Sequence, residues 1–179
     1  MLPGYRTTDR STVPLRRWLR YLGYRTYGWG QGRNEGRVQG VLPALVDRMN
    51  HIGADPVALV GWSWGGVVAR ALARQVPDRV SQVITLGTPI HGGVGGTVFG
   101  QRVAPDLLRQ SRDAAAERER EPMPVPALSI YTEHDGVVAW RASLDPKEGQ
   151  TEHLKVDSSH LGLGLSPAVW LAVAERLSP

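Results

Sequence analysis

The sequence predicts a doubly wound α/β fold, a mostly parallel sheet with helices on both faces, and three observations lead there. Short apolar, β-branched runs recur at residues 57–60, 80–86 and 125–131, with the length and composition of fully buried strands. Between the first two lies a longer segment, 67–76, that is apolar nearly all round, as a helix buried against a sheet would be. Ahead of them, Val38, Val41, Leu42, Leu45, Met49 and Ile52 return at helical spacing, with Gly53 as the stop. Strands alternating with helices form parallel units, and ligands on such sheets bind at the C-terminal ends of the strands. The 179 residues suit one domain, 1–179, with a substantial core.

The other elements follow in order. Residues 11–23 form an amphipathic helix with Leu15, Trp18, Leu19 and Leu22 on one face, Ser11 or Thr12 as cap, Pro14 in the first turn and Gly23 at its end. Residues 24–29 read as a strand. The glycines at 28, 30, 32 and 36 fit a dinucleotide fingerprint in no register, so this stretch is a loop. Pro43 allows the regular part of the next helix to begin only there. Residues 88–124 are the least regular, a small cap-like insertion opening with HGGVGG and holding a modest amphipathic helix around Val103, Leu107 and Leu108. A last strand falls at 152–156, and Ser166-Pro167 caps a closing helix with Val169, Trp170, Val173 and Leu177.

Composition narrows the function. A hydrophobic fraction of 41% with 21% charged residues is that of a globular protein. Cysteine is absent, which excludes disulfides and thiolate metal sites. No apolar run approaches the roughly 18 to 20 residues of a membrane helix, and the start lacks the apolar centre of a signal peptide, so a cytoplasmic location is expected. The net charge of +4 comes from basic residues spread along the chain, only Lys147 and Lys155 being lysines. The densest cluster, RDAAAERERE at 112–121, alternates in sign, so no nucleic-acid footprint is expected. No His and carboxylate cluster has metal-ligand spacing, and no cofactor is called for.

The chemistry gathers at Gly61-Trp62-Ser63-Trp64-Gly65, between the strand at 57–60 and the following helix. A serine between glycines on a strand-to-helix turn is a nucleophile elbow. The turn is too tight for side chains two residues before and after the serine, and its hydroxyl stands at a helix N-terminus that favours developing negative charge. A serine hydroxyl needs a base to take its proton and an acid to orient that base. Asp135 follows the 125–131 strand in YTEHDGVV, and His160 follows the last strand in KVDSSHLG. Glu133 is the reserve acid. His91 is a candidate to line the cleft, and Trp62 and Trp64 flank the serine, where either packing or an aromatic wall for substrate explains them.

GWSWGG, the TEHDGVV loop and the SSHLG loop, in the order Ser63, Asp135, His160, resemble the α/β-hydrolase superfamily, in particular its small lipase-like and esterase-like serine hydrolases. The resemblance covers essentially the whole chain. It implies carboxylic ester hydrolysis of a small molecule through an acyl-enzyme on Ser63. His160 would act as base then acid, and Asp135 would orient it. Acyl transfer by the same residues, or a hydrolase-like protein that only binds, are the alternatives. LPGYRTTDRST resembles the oxyanion loop of that group, which implies the backbone N–H groups of Tyr5 and Trp64 as the oxyanion hole. Residues 88–121 are too polar for a large greasy lid. In such hydrolases a buried strand precedes the oxyanion turn and lies beside the elbow strand. Here only Met1 and Leu2 stand before Pro3-Gly4, against about 5 to 6 residues for a strand. The expectation is a chain that starts at the oxyanion loop with its first strands absent, and an upstream reading frame encoding a β-branched stretch.

Overall fold

The computed structural model describes residues 1–178 apart from 55, 148 and 150. Four strands, β1 (Val57–Trp62), β2 (Val80–Leu86), β3 (Ala127–Tyr131) and β4 (Thr151–Lys155), lie side by side in chain order. Every pairing is parallel. The register runs Leu59 to Val83 to Ala127 and Val60 to Ile84 to Leu128. Successive residues point to opposite faces, and along β1, β2 and β3 both faces are buried. Leu59, Val83 and Ala127 pack under α2 (Val38–Ile52) and α3 (Trp64–Gln75). Val60, Ile84 and Leu128 pack under α1 (Val13–Tyr21) and α5 (Pro167–Leu177). This two-sided burial explains why the strands read as continuous apolar runs rather than alternating ones. Among the described residues, no helix is long and apolar enough to cross a membrane.

Several local expectations are corrected. The first helix is preceded by a 3-10 turn, Asp9–Thr12, whose cap is Thr8 accepting from the Arg10 N–H; Thr12 stands at the N-cap of α1, as expected, without a side-chain bond there. Leu22 falls past the end of α1 and is exposed. α2 begins at Val38, five residues before Pro43, because a proline within the first two turns forfeits only one backbone bond; Gly53 ends it at φ 62°. In α4 (Pro105–Arg118) Leu107 is exposed and only Ala115 is buried, so its packing face is narrower than the sequence suggested. Ser166 does stand at the N-cap of α5 with Pro167 in its first turn, and its carbonyl accepts from Trp170 N–H. Residues 24–29 form no strand, since no neighbouring strand pairs with them.

Candidate active site

Ser63 sits between β1 and α3 at φ 53° and ψ −124°. A positive φ is costly for a residue with a side chain, so the surroundings must impose it. The Ser63 N–H donates to the Leu86 carbonyl at 2.7 Å, and its own carbonyl accepts from Gly66 N–H and Thr88 Oγ1, each at 2.9 Å. The glycines around it answer to close backbone approach. A Cβ on Gly61 would lie 2.5 Å from the Gly65 carbonyl oxygen, and one on Gly65 would run into the carbonyls of Leu2 and Pro3. The serine therefore caps a 12-residue helix with its hydroxyl unconstrained. Among the described residues Ser63 Oγ makes no hydrogen bond, to His160 or to any other group.

Asp135 and His160 meet beyond the ends of β3 and β4. His160 Nδ1 and Asp135 Oδ2 are 2.8 Å apart, and both residues are buried. The other carboxylate oxygen accepts from the N–H groups of Val137 at 3.0 Å and Val138 at 2.5 Å. Backbone bonds fix the two loops to each other: His160 N–H donates to the Asp135 carbonyl, and Thr132 Oγ1 donates to the Ser158 carbonyl. With Nδ1 engaged, Nε2 is the imidazole nitrogen left for a reacting group. Gly87, directly after β2, makes room for the pair: at φ 53°, a Cβ there would lie 2.9 Å from Asp135 Oδ2 and 3.2 Å from His160 Nδ1. Its sequence signal was a glycine ending a buried strand.

The turn at Gly4-Tyr5 lies on the other side of the serine; a Cβ on Gly4 would stand 3.4 Å from Ser63 Cβ. Neither the Tyr5 nor the Trp64 N–H meets an acceptor among the described residues, so both donors stay open. Asn34 holds this turn. Only 2% exposed, it donates from Nδ2 to the Pro3 carbonyl at 2.8 Å. Its carbonyl accepts from Arg6 N–H at 2.7 Å, and its N–H donates to the Thr7 carbonyl at 2.9 Å. Asp9 completes the clasp by accepting from the N–H groups of Trp29 and Gly30. The glycine-rich stretch is indeed a loop, yet its positioning role carried no motif.

The remaining candidates have structural partners. Trp62 donates its indole N–H to the His160 carbonyl at 3.2 Å and packs over Gly164. Trp64 donates to the Gly36 carbonyl at 3.1 Å. His91 Nδ1 lies 3.0 Å from the Leu144 carbonyl. Glu133 is exposed and pairs with Lys155, away from His160. Behind the elbow helix, Arg70, 1% exposed, binds Glu119 and Asp145, each at 2.6 Å. Burial alone would lower the Arg70 pKa, but the hydrogen bonds and charges of Glu119 and Asp145 raise it above its ordinary value. Burial likewise opposes charge on Asp145, and Arg70, the Lys147 N–H and Thr151 together hold its carboxyl below the usual range. Through Glu119 this network fastens the residues after α4 to α3. Among the described residues no group of three His, Cys, Asp or Glu side chains could hold a metal ion.

A family model described as the alpha/beta hydrolase fold matches residues 41–93, which hold β1, the elbow, α3 and β2. No curated protein matches the chain significantly. Among solved structures, an alpha/beta superfamily hydrolase from Oenococcus oeni superposes with TM-score 0.73 at 15% identity, covering 98% of this chain and 90% of that one. Lipase B of Aspergillus fumigatus gives 0.71 at 18%, covering 99% of this chain but 51% of the lipase. A thermophilic esterase from Thermogutta terrifontis gives 0.63 at 19%, covering 99% and 89%. The parallel sheet, the strained serine after its first strand and these likenesses agree: this chain has the alpha/beta hydrolase fold.

Proposed function

We propose that the protein is a serine hydrolase that cleaves small carboxylic esters through an acyl-enzyme on Ser63. The observation that carries this reading is the buried Asp135–His160 hydrogen bond beyond the C-terminal ends of the parallel strands, the same end of the sheet at which Ser63 stands at φ 53°. In the reaction, Ser63 Oγ attacks the ester carbonyl while His160 Nε2 takes its proton. The oxyanion that forms is met by the N–H groups of Tyr5 and Trp64. His160 then protonates the leaving alcohol, and water repeats the sequence to release the acid. Asp135 fixes the imidazole tautomer throughout. Two likenesses lend weight, since one solved neighbour is named a lipase and another an esterase. A second reading, a hydrolase-like protein that binds without turnover, draws on the absent Ser63–His160 hydrogen bond. Short-chain p-nitrophenyl esters separate the two. Ser63→Ala and His160→Ala should each remove nearly all turnover, and the double variant should be little worse than either, because the residues act as a unit. Turnover unchanged in Ser63→Ala, or none in the original folded protein, excludes the ester hydrolase.

A further inference from the structure

Between α2, α3 and the end of α4 lies a hollow of about 540 Å³, within the range of about 300 to 1,000 Å³ usual for small-molecule sites. Leu42 and Ala71 make part of its wall apolar. Arg74, near the end of α3, and Arg118, the last residue of α4, bring cations to it. The carboxylates around these cations are already engaged. Both Glu119 oxygens accept from Arg70, and one also accepts from Arg74 Nη2 at 2.7 Å. Asp145 accepts from Arg70, Thr151 and the Lys147 N–H. Three guanidinium groups thus meet two carboxylates, and donors are left over. The Nε atoms of Arg74 and Arg118 and the Nη1 of Arg70 are buried without an acceptor. Arg118 has no hydrogen-bond or ion-pair partner among the described residues. Arg74 Nη1 has only the Arg70 carbonyl, at 3.5 Å. Among the described residues Glu117 is the one carboxylate lining the hollow, and it is exposed beside Arg120 at 3.7 Å.

Buried donors without acceptors are costly, and guanidinium groups stay charged at any ordinary pH, so an oxyanion is the partner this hollow suits. Burial holds the pKa of both Arg74 and Arg118 below the ordinary value, a shift that a bound anion opposes. The start of α2 adds to this. No side chain caps it, Gln39 in its first turn lines the hollow, and open helix N–H groups favour negative charge. We propose that the hollow binds the phosphate group of a small phosphorylated molecule, apart from the proposed ester site. Arg74 stands about 15 Å along α3 from the end that begins beside Ser63. Guanidinium forks pair bidentately with phosphate oxygens, and two forks from different helices suit a tetrahedral dianion better than one planar carboxylate. Arg118 is the principal contact, since it gives up no other bond to make this one. Arg74 adds its Nη1 while Nη2 stays on Glu119. Leu42 and Ala71 meet the carbon skeleton. A phosphate held there ties α2, α3 and the end of α4 together and so stabilises the folded chain.

The test titrates inorganic phosphate and phenyl phosphate into the full chain by calorimetry at fixed ionic strength, with the thermal midpoint followed alongside. Neither reading depends on turnover. Both probes should bind at one site per chain and raise the midpoint. Arg118→Gln should fold as the original does, because Arg118 holds no partner. It should weaken phosphate binding about 10- to 100-fold, as the loss of a charged hydrogen bond does. Arg118→Lys should keep an intermediate affinity, through charge without the planar fork. Arg120→Gln, beside Glu117 on the exposed rim, should bind as the original does. No saturable binding of either phosphate, equal affinity in Arg118→Gln, or an equal midpoint rise from sodium chloride at the same ionic strength overturns the proposal. Benzoate that binds as tightly as phenyl phosphate, and is likewise lost in Arg118→Gln, also overturns it by making the site one for carboxylates. Phosphate binding in a protein that hydrolyses no ester leaves this site standing and removes the enzyme reading alone.

Discussion

At one edge of the sheet, β4 presents Glu152, His153 and Lys155 to solvent, whereas at the other β1 turns its outer side into an apolar slot. Charged side chains on an end strand discourage further pairing; an apolar end strand invites it. The same contrast runs through the site. Asp135 and His160 arrive from the β3–β4 side, where three backbone N–H groups and a glycine-lined recess fix them. The Tyr5 N–H arrives from the β1 side on a turn held by one bridge at Leu2 and by Asn34. Asp135 and His160 are thus held by many local bonds, and half of the proposed oxyanion hole depends on a few bonds beside an end strand.

Removing support from each side should therefore give unequal losses. On the β3–β4 side, Asp135→Asn should lower kcat by about 10⁴, since the amide leaves His160 in the wrong tautomer while preserving the fold. Glu133→Gln, at the exposed Lys155 pair, should leave kcat unchanged. A larger loss from Glu133→Gln would transfer the orienting role to that residue. On the β1 side, Asn34→Ala should lower kcat by roughly 10²- to 10³-fold through a displaced Tyr5 N–H. It should also cost about 1 to 3 kcal/mol in unfolding free energy, because the Pro3 carbonyl loses its buried donor. A loss of stability with kcat intact would show that the turn keeps its place without Asn34. Steady-state kinetics on short-chain esters, paired with denaturant melts, reads both variants.

Much of this was legible in the sequence where chemistry restricts residue choice. Only glycine fits positions 61 and 65, so the elbow announced itself, and buried parallel strands are apolar throughout, so 80–86 was found at its observed bounds. Asp135 and His160 were singled out because such residues are sought in loops after strands, and the structure brings these two side chains within hydrogen-bond distance. Asn34 and Gly87 escaped because their importance lies in long-range contacts, to Pro3 and to the Asp135–His160 pair, that no local pattern encodes. Residues 24–29 misled for a related reason: strand composition becomes a strand only when a neighbour supplies the other half of each hydrogen bond. Cap positions were legible at both α1 and α5, where Thr12 and Ser166 stand at the N-caps, although neither bonds through its side chain there.

In the proposed reaction the two sides of the site act on one hydroxyl, that of Ser63, so its reactivity is the most direct measure of whether they work together. Incubation with a fluorophosphonate probe, followed by intact mass and peptide mapping, reads it without assuming any natural substrate. The account predicts one adduct per chain, located on Ser63 and lost in both Ser63→Ala and His160→Ala. A folded protein that takes no label, or one still labelled after Ser63→Ala, would contradict it.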